Sequence, residues 1–105
     1  MSRFEQLLDF HRQDPDDAFV RYALAQEYLR LGETEQALAY FEGLVADQPD
    51  YVGTYYHLGK LYEDLHRKDD AVRTYQAGIG VAASDPHARA ELQSALLEAQ
   101  GIGFD

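Results

Sequence analysis

The fold is decided by one stretch, Tyr22-Ala23-Leu24-Ala25-Gln26-Glu27-Tyr28-Leu29-Arg30-Leu31-Gly32, because its pattern returns 34 residues later. The second copy reads Tyr56-His57-Leu58-Gly59-Lys60-Leu61-Tyr62-Glu63-Asp64-Leu65-His66. Downstream of both copies the same spacing continues, and it pairs Ala37 with Ala71, Leu38 with Val72, and Phe41 with Tyr75. Apolar residues recur every three or four positions within each copy, which is typical of amphipathic helices. A self-similarity at this period predicts an array of helical repeats.

These paired positions resemble the tetratricopeptide repeat (TPR) family, as a small bacterial-type protein with about two full repeats plus flanking helices. The resemblance implies an all-α fold, a right-handed α-α superhelix of about six antiparallel helices. It also implies a protein that works by binding a protein or peptide partner, whose identity the sequence does not give.

The phase of the repeat divides a single expected domain, 1–105, into five segments. They are an N-terminal half-repeat helix over 2–13, repeat 1 over 16–49, repeat 2 over 50–83, a capping helix over 85–100 and a flexible tail over 101–105. Asp16 and Thr34 are the expected N-caps of the two helices of repeat 1. Gly32 suits the left-handed position between those helices.

Repeat 2 departs from this pattern at both ends of its second helix. His66 stands where repeat 1 has Gly32, so a left-handed turn there is strained. Ala83 stands one period after Pro49, and the proline comes three residues late, at Pro86. We therefore expect the end of this helix to be extended or irregular, while Pro86 opens the capping helix.

The repeat also predicts the core. Ala25 and Gly59 are small because the two helices of each repeat are expected to cross closely there. Phe10 falls in line with the core position Leu44. The predicted packing residues are Leu24, Tyr28, Leu31, Ala37, Phe41, Leu44, Leu58, Tyr62, Leu65, Ala71 and Tyr75.

Composition narrows the classes of function. The formal net charge is −10, from 19 acidic against 9 basic residues, so binding to nucleic acid is disfavoured. Two readings of this charge stay open, a well-solvated surface or an adaptation to high salt. The sequence shows neither a signal peptide nor a membrane-spanning run, so we expect a cytoplasmic protein without membrane attachment.

No catalytic or metal-binding motif is evident. The chain has no cysteine, its serines lack a nucleophile context, and its four histidines share no metal-ligand spacing. Asp69-Asp70 is typical of a solvated first helical turn. The expectation is a non-enzyme without a cofactor or metal.

Candidate binding residues follow from the resemblance, since TPR proteins line their concave surface with first-helix residues that point away from the second helix. Aromatic side chains and arginine are favoured at binding surfaces, although tyrosines at helical spacing also serve as packing residues. A two-carboxylate clamp is disfavoured, because Tyr22 and Gln26 stand where such a clamp has lysine and asparagine, and His57 replaces a second asparagine. The predicted partner-binding residues are Phe19, Tyr22, Gln26 and Arg30 in repeat 1 and Tyr56, His57 and Lys60 in repeat 2.

An alternative function is self-assembly as a homodimer or structural scaffold. The N-terminal helix lacks a partner helix of its own repeat, so its apolar edge invites symmetric association. The residues expected to take part are Phe4, Leu8, His11 and Phe104.

Overall fold

The computed structural model describes residues 1–101, which contain six α-helices and no strand. They are α1 (Arg3–Gln13), α2 (Ala18–Arg30), α3 (Thr34–Asp47), α4 (Gly53–Asp64), α5 (Lys68–Val81) and α6 (Pro86–Ala99). None of these helices is both long enough and apolar enough to cross a membrane.

The 34-residue period is visible in the helix bounds, because α3 and α5 begin and end one period apart. The turns that precede them are also equivalent. Gly32 has a φ of 78° and His66 a φ of 59°, so both occupy the left-handed region. The turn at His66 is therefore left-handed, which is the condition under which the sequence predicts strain.

Two predicted N-caps were wrong by one residue. The carboxylate of Asp17, rather than that of Asp16, accepts from the Val20 N–H at 3.1 Å and caps α2. The reason is the turn closed by the Asp17 N–H to the Asp14 carbonyl at 3.2 Å, which leaves Asp16 outside the helix. Glu33, which follows the left-handed Gly32, is the N-cap of α3 and makes no side-chain cap hydrogen bond, so Thr34 is the first helical residue.

The end of α5 is regular, which corrects the expectation of an extended or irregular end. The Ala82 N–H donates to the Gly78 carbonyl at 2.8 Å, as the Gln48 N–H donates to the Leu44 carbonyl at the end of α3. A Cβ at Gly78 would lie 2.6 Å from the Cβ of Tyr55, so close packing on α4 fixes this end without a proline. Pro86 opens α6 as expected, behind an Asp85 cap.

The helices divide into two compact units at residues 48 and 49. In unit 1, residues 1–48, α2 packs against both α1 and α3. Its core contains Leu7, Val20, Ala23 and Leu24, and Phe4, Leu8, Tyr28 and Tyr40 pack around these residues. Ala25, at the predicted close crossing, is fully buried.

In unit 2, described over residues 49–101, α4, α5 and α6 all pack against one another. Gly59 is buried, and a Cβ there would lie only 2.1 Å from Cε1 of Tyr75. The small residue predicted at the crossing of α4 and α5 is thus required by a fully buried aromatic ring.

Two predicted core positions are wrong. Leu31 and Leu65 are 46% and 37% exposed, because each is the C-cap residue of its helix, where the chain leaves the helical period. Phe10, which aligns with the core position Leu44 but is not among the predicted packing residues, is 54% exposed on α1.

Candidate functional site: the polar faces of α2 and α4

The first candidate surface, here called the α2 face, consists of Phe19, Tyr22, Gln26 and Arg30. Phe19 is 60% exposed, whereas Tyr22 is half-buried and meets the ring of Phe41 edge-on, with ring centroids 6.3 Å apart. The amide of Gln26 donates to the hydroxyl of Tyr22 at 3.1 Å. This face therefore presents one exposed aromatic ring beside a phenol and an amide that hold each other in place.

Arg30 is committed to a salt bridge within α2. Its Nε and Nη2 donate to the two carboxylate oxygens of Glu27 at 2.7 and 3.0 Å. Glu27 is only 5% exposed, so it is a nearly buried carboxylate with a bidentate partner. The hydrogen bond from Arg30 lowers the pKa of Glu27 and raises that of Arg30.

Sequence reasoning did not single out Glu27. The signal available was the three-residue spacing between Glu27 and Arg30, which allows ion pairing on a helix surface. That spacing does not reveal the burial of the carboxylate.

The second candidate surface, here called the α4 face, consists of Tyr56, His57 and Lys60. The rings of Tyr56 and His57 are perpendicular, with centroids 5.5 Å apart. The ammonium of Lys60 lies 5.5 Å from the centroid of the Tyr56 ring, within the range of a cation–π contact. The structure thus brings the three predicted residues of repeat 2 together.

Two carboxylates flank Lys60, one from α4 and one from α6. Its Nζ lies 3.8 Å from Oε2 of Glu63 and 3.8 Å from Oε2 of Glu98. The fully buried Tyr75 donates its hydroxyl to Oε2 of Glu63 at 2.5 Å. Burial, and then this hydrogen bond, raise the pKa of Tyr75, so its hydroxyl stays a donor.

The environment of His57 disfavours its charged form. Burial lowers the pKa of His57, and the negative charge of Glu91 on α6 partly opposes this effect. The sequence did not predict the contribution of Glu98, because only the packing of α6 against α4 brings its carboxylate to this face.

A cleft of about 290 Å³ adjoins the two carboxylates within unit 2. Its lining residues are Glu63, His66, Lys68, Glu98 and Ala99. The same carboxylates that flank Lys60 are therefore accessible from a concave part of the surface.

The residues predicted for self-association lie mainly on α1. The ring of Phe4 meets that of Tyr28 edge-on at 5.2 Å, and Leu8 packs on the core of unit 1. His11 meets Tyr40 at 5.6 Å and lines a second cleft, of about 370 Å³. Phe104 lies outside the described residues.

Over residues 1–101, no group of three or more histidine, aspartate or glutamate side chains is arranged to hold a metal ion.

Comparison with known proteins identifies the family. A model of the tetratricopeptide repeat matches residues 28–96, which include part of repeat 1 and all of repeat 2. No curated protein shows significant similarity to the chain.

Two solved structures are close in sequence, both of a tetratricopeptide repeat domain protein from Salinibacter ruber. The crystal structure is 56% identical, with a TM-score of 0.79, and the match covers 84% of this chain and 100% of that one. The solution structure is 57% identical, with a TM-score of 0.80, and the match covers 85% of this chain and 92% of that one.

A more distant structure shares the fold. PcrH in complex with the chaperone binding region of PopD is 19% identical, with a TM-score of 0.84, and the match covers 94% of this chain and 77% of that one. Since the repeat period, the helix bounds, the family model and the Salinibacter structures all agree, the chain belongs to the tetratricopeptide repeat family.

Proposed function

We propose that the chain is a non-catalytic protein-interaction module that binds a peptide or a helix of a partner protein through the α2 face and the α4 face. The observation that carries this proposal is the exposure of Phe19, 60%, beside the fixed Tyr22–Gln26 pair. A large apolar ring left in water next to ordered polar groups is the composition that binding hot spots favour.

The α4 face supports the proposal in the same way. Tyr56 and His57 hold each other through their rings, which meet edge-on. Side chains that are ordered before binding lose little conformational entropy when a partner arrives. Both faces therefore offer preorganised contacts.

The distant structural neighbour supports a protein partner at the level of the fold. PcrH was solved in complex with the chaperone binding region of PopD, so this arrangement of helices can hold a segment of another protein. The net charge of −10 further favours a protein over a nucleic acid as partner.

The test is an affinity capture from a lysate of the source organism. The wild type is compared with a Phe19→Ala, Tyr56→Ala variant, and Phe10→Ala is the matched control because Phe10 is similarly exposed but lies on α1. We expect a protein that the wild type and the control recover and that the variant loses. Equal recovery by all three proteins, each shown by circular dichroism to be folded, would refute the proposal.

Self-association through α1 is the second candidate, and the exposure of Phe10 on that helix favours it. Phe10→Glu is a cleaner probe than a change at Phe4, because Phe4 contributes to the packing on Tyr28. If α1 forms the interface, sedimentation equilibrium will show a wild-type dimer and a Phe10→Glu monomer. A wild type that is monomeric at all concentrations would exclude this candidate.

A further inference from the structure

We propose that the α4 face and α6 form a subsite for an arginine side chain of the partner, made by the ring of Tyr56 and the carboxylates of Glu63 and Glu98. These three groups are called the arginine subsite. This inference rests on the proposed function, since it names the chemistry of the partner segment that the α4 face binds.

The chain's own lysine marks the subsite. Lys60 Nζ is 5.5 Å from the centroid of Tyr56 and 3.8 Å from one oxygen of each carboxylate. An aromatic face and two carboxylates thus converge on a single cation, and the ammonium of Lys60 stands in for the charged group of a ligand.

The ammonium of Lys60 makes a close contact with neither carboxylate. A charge-assisted N–H···O bond is about 2.7–2.9 Å long, so contacts of 3.8 Å on both sides are each longer by roughly 1 Å. An ammonium is a compact point charge, whereas a guanidinium is a planar fork of five donors that also stacks on aromatic rings. An arginine can therefore reach both carboxylates over Tyr56 where Lys60 reaches neither closely.

The carboxylates are held ready and remain accessible. The hydroxyl of the buried Tyr75 fixes Glu63 at 2.5 Å, and Glu98 is 64% exposed. Both carboxylates also border the cleft of about 290 Å³. Exposed ion pairs are weak, so the contacts of Lys60 are easily replaced.

The charges around the subsite favour a basic ligand. Burial lowers the pKa of His57, and the negative charge of Glu91, on α6, partly opposes this effect. Three carboxylates, those of Glu63, Glu91 and Glu98, therefore contribute negative charge to this face. The opposing cations are Lys60 and, in the adjoining cleft, Lys68. The net charge of these groups is negative, as is the net charge of the whole chain, and it repels an acidic peptide.

The experiment titrates the isotope-labelled protein with three blocked tripeptides, Gly-Arg-Gly, Gly-Lys-Gly and Gly-Glu-Gly, followed by amide chemical shifts in NMR. We expect the arginine peptide to bind most tightly, with shifts centred on Tyr56, Lys60 and Glu98. Lys60→Met vacates the subsite and should tighten arginine binding roughly two- to fivefold, the value of one exposed cation–π contact. Glu98→Gln should weaken it by up to about fivefold, the value of one exposed ion pair.

The controls separate the subsite from general electrostatics. Arg12→Met removes the same charge as Lys60→Met, and Asp9→Asn the same charge as Glu98→Gln, but exposed Arg12 and half-exposed Asp9 both lie on α1 in unit 1. Equal effects of variant and control, tighter binding of the glutamate peptide, or no saturable binding of the arginine peptide would each overturn the inference. None of these results would affect the capture experiment, which depends on Phe19 and Tyr56 and not on the sign of the partner's charge.

Discussion

Replacing Gly59 by alanine is the sharpest test of how α4 packs on α5. A Cβ built on Gly59 would lie 2.1 Å from Cε1, 2.6 Å from Cζ and 2.7 Å from Cδ1 of Tyr75. The ring cannot move freely, because Tyr75 is fully buried and its hydroxyl donates to Glu63. The substitution must therefore push the two helices apart or displace the ring.

The expected magnitude combines two opposing effects. Overpacking a well-filled core costs about 1–3 kcal/mol, and this close approach places Gly59→Ala near the upper end. Alanine in a helix interior is more favourable than glycine by about 1 kcal/mol, which offsets part of this cost. The free energy of unfolding should therefore fall by about 2 kcal/mol, which lowers the Tm of a chain of this size by roughly 8–16 °C.

Gly80→Ala is the matched control within the same unit. A Cβ at Gly80 would meet no atom within 4 Å, so the helix-propensity gain is unopposed. We expect this variant to be more stable by about 1 kcal/mol. Because both variants make the same chemical change, their effects on the unfolded chain are similar, and the difference between them reports the contact with Tyr75.

The assay is thermal and urea unfolding followed by circular dichroism. The expected result is a fall in Tm for Gly59→Ala and a rise for Gly80→Ala. If Gly59→Ala stabilises the protein as much as Gly80→Ala does, the close crossing of α4 and α5 at this residue is refuted.

Three further predictions concern a turn and two titrating groups. His66→Gly should raise the free energy of unfolding by about 0.5–1 kcal/mol, because a left-handed residue with a side chain costs about 1–2 kcal/mol and glycine costs about 0.5–1 kcal/mol in entropy; an unchanged urea midpoint would contradict the strain. The hydrogen bond from Arg30 lowers the pKa of Glu27 from 4.5, so this pair stabilises the fold above pH 4.5 and its contribution is lost as the pH falls through the lowered pKa. Arg30→Gln should therefore destabilise the protein more at pH 7 than at pH 3, and equal losses in urea unfolding at both values would count against the pair. Burial lowers the pKa of His57 from 6.5, so the native state should lose stability as the pH falls from 6.5 through the lowered pKa, and His57→Gln should remove this dependence. An NMR titration of the imidazole with a midpoint at or above 6.5 would disprove that assignment.

The sequence predicts the helical array well, because a repeat period and a helical period are local properties of the chain. The spacing of Leu24 and Leu58 gave the phase, and that phase placed the crossing residues Ala25 and Gly59 and the left-handed turn at His66. The same phase placed Tyr56, His57 and Lys60 on one face of α4, because residues three and four apart are neighbours on a helix.

Local periodicity does not predict the burial of residues at a helix end. It also does not predict local structure that depends on packing against a neighbouring helix. Leu31 and Leu65 follow the period but are C-cap residues, so their side chains leave the apolar stripe. The end of α5 was expected to be irregular because a proline was missing, yet the packing of Gly78 on Tyr55 makes it regular.

The candidate site likewise has some features that the sequence predicts and others that only the tertiary structure shows. The sequence alone determined which residues α2 and α4 present, since helix geometry fixes their faces. Only the tertiary structure decided what surrounds them, because the contact of Lys60 with Glu98 joins helices that are distant along the chain. The burial of Glu27 is likewise a property of the packed unit, since a carboxylate loses its water only when other elements cover it.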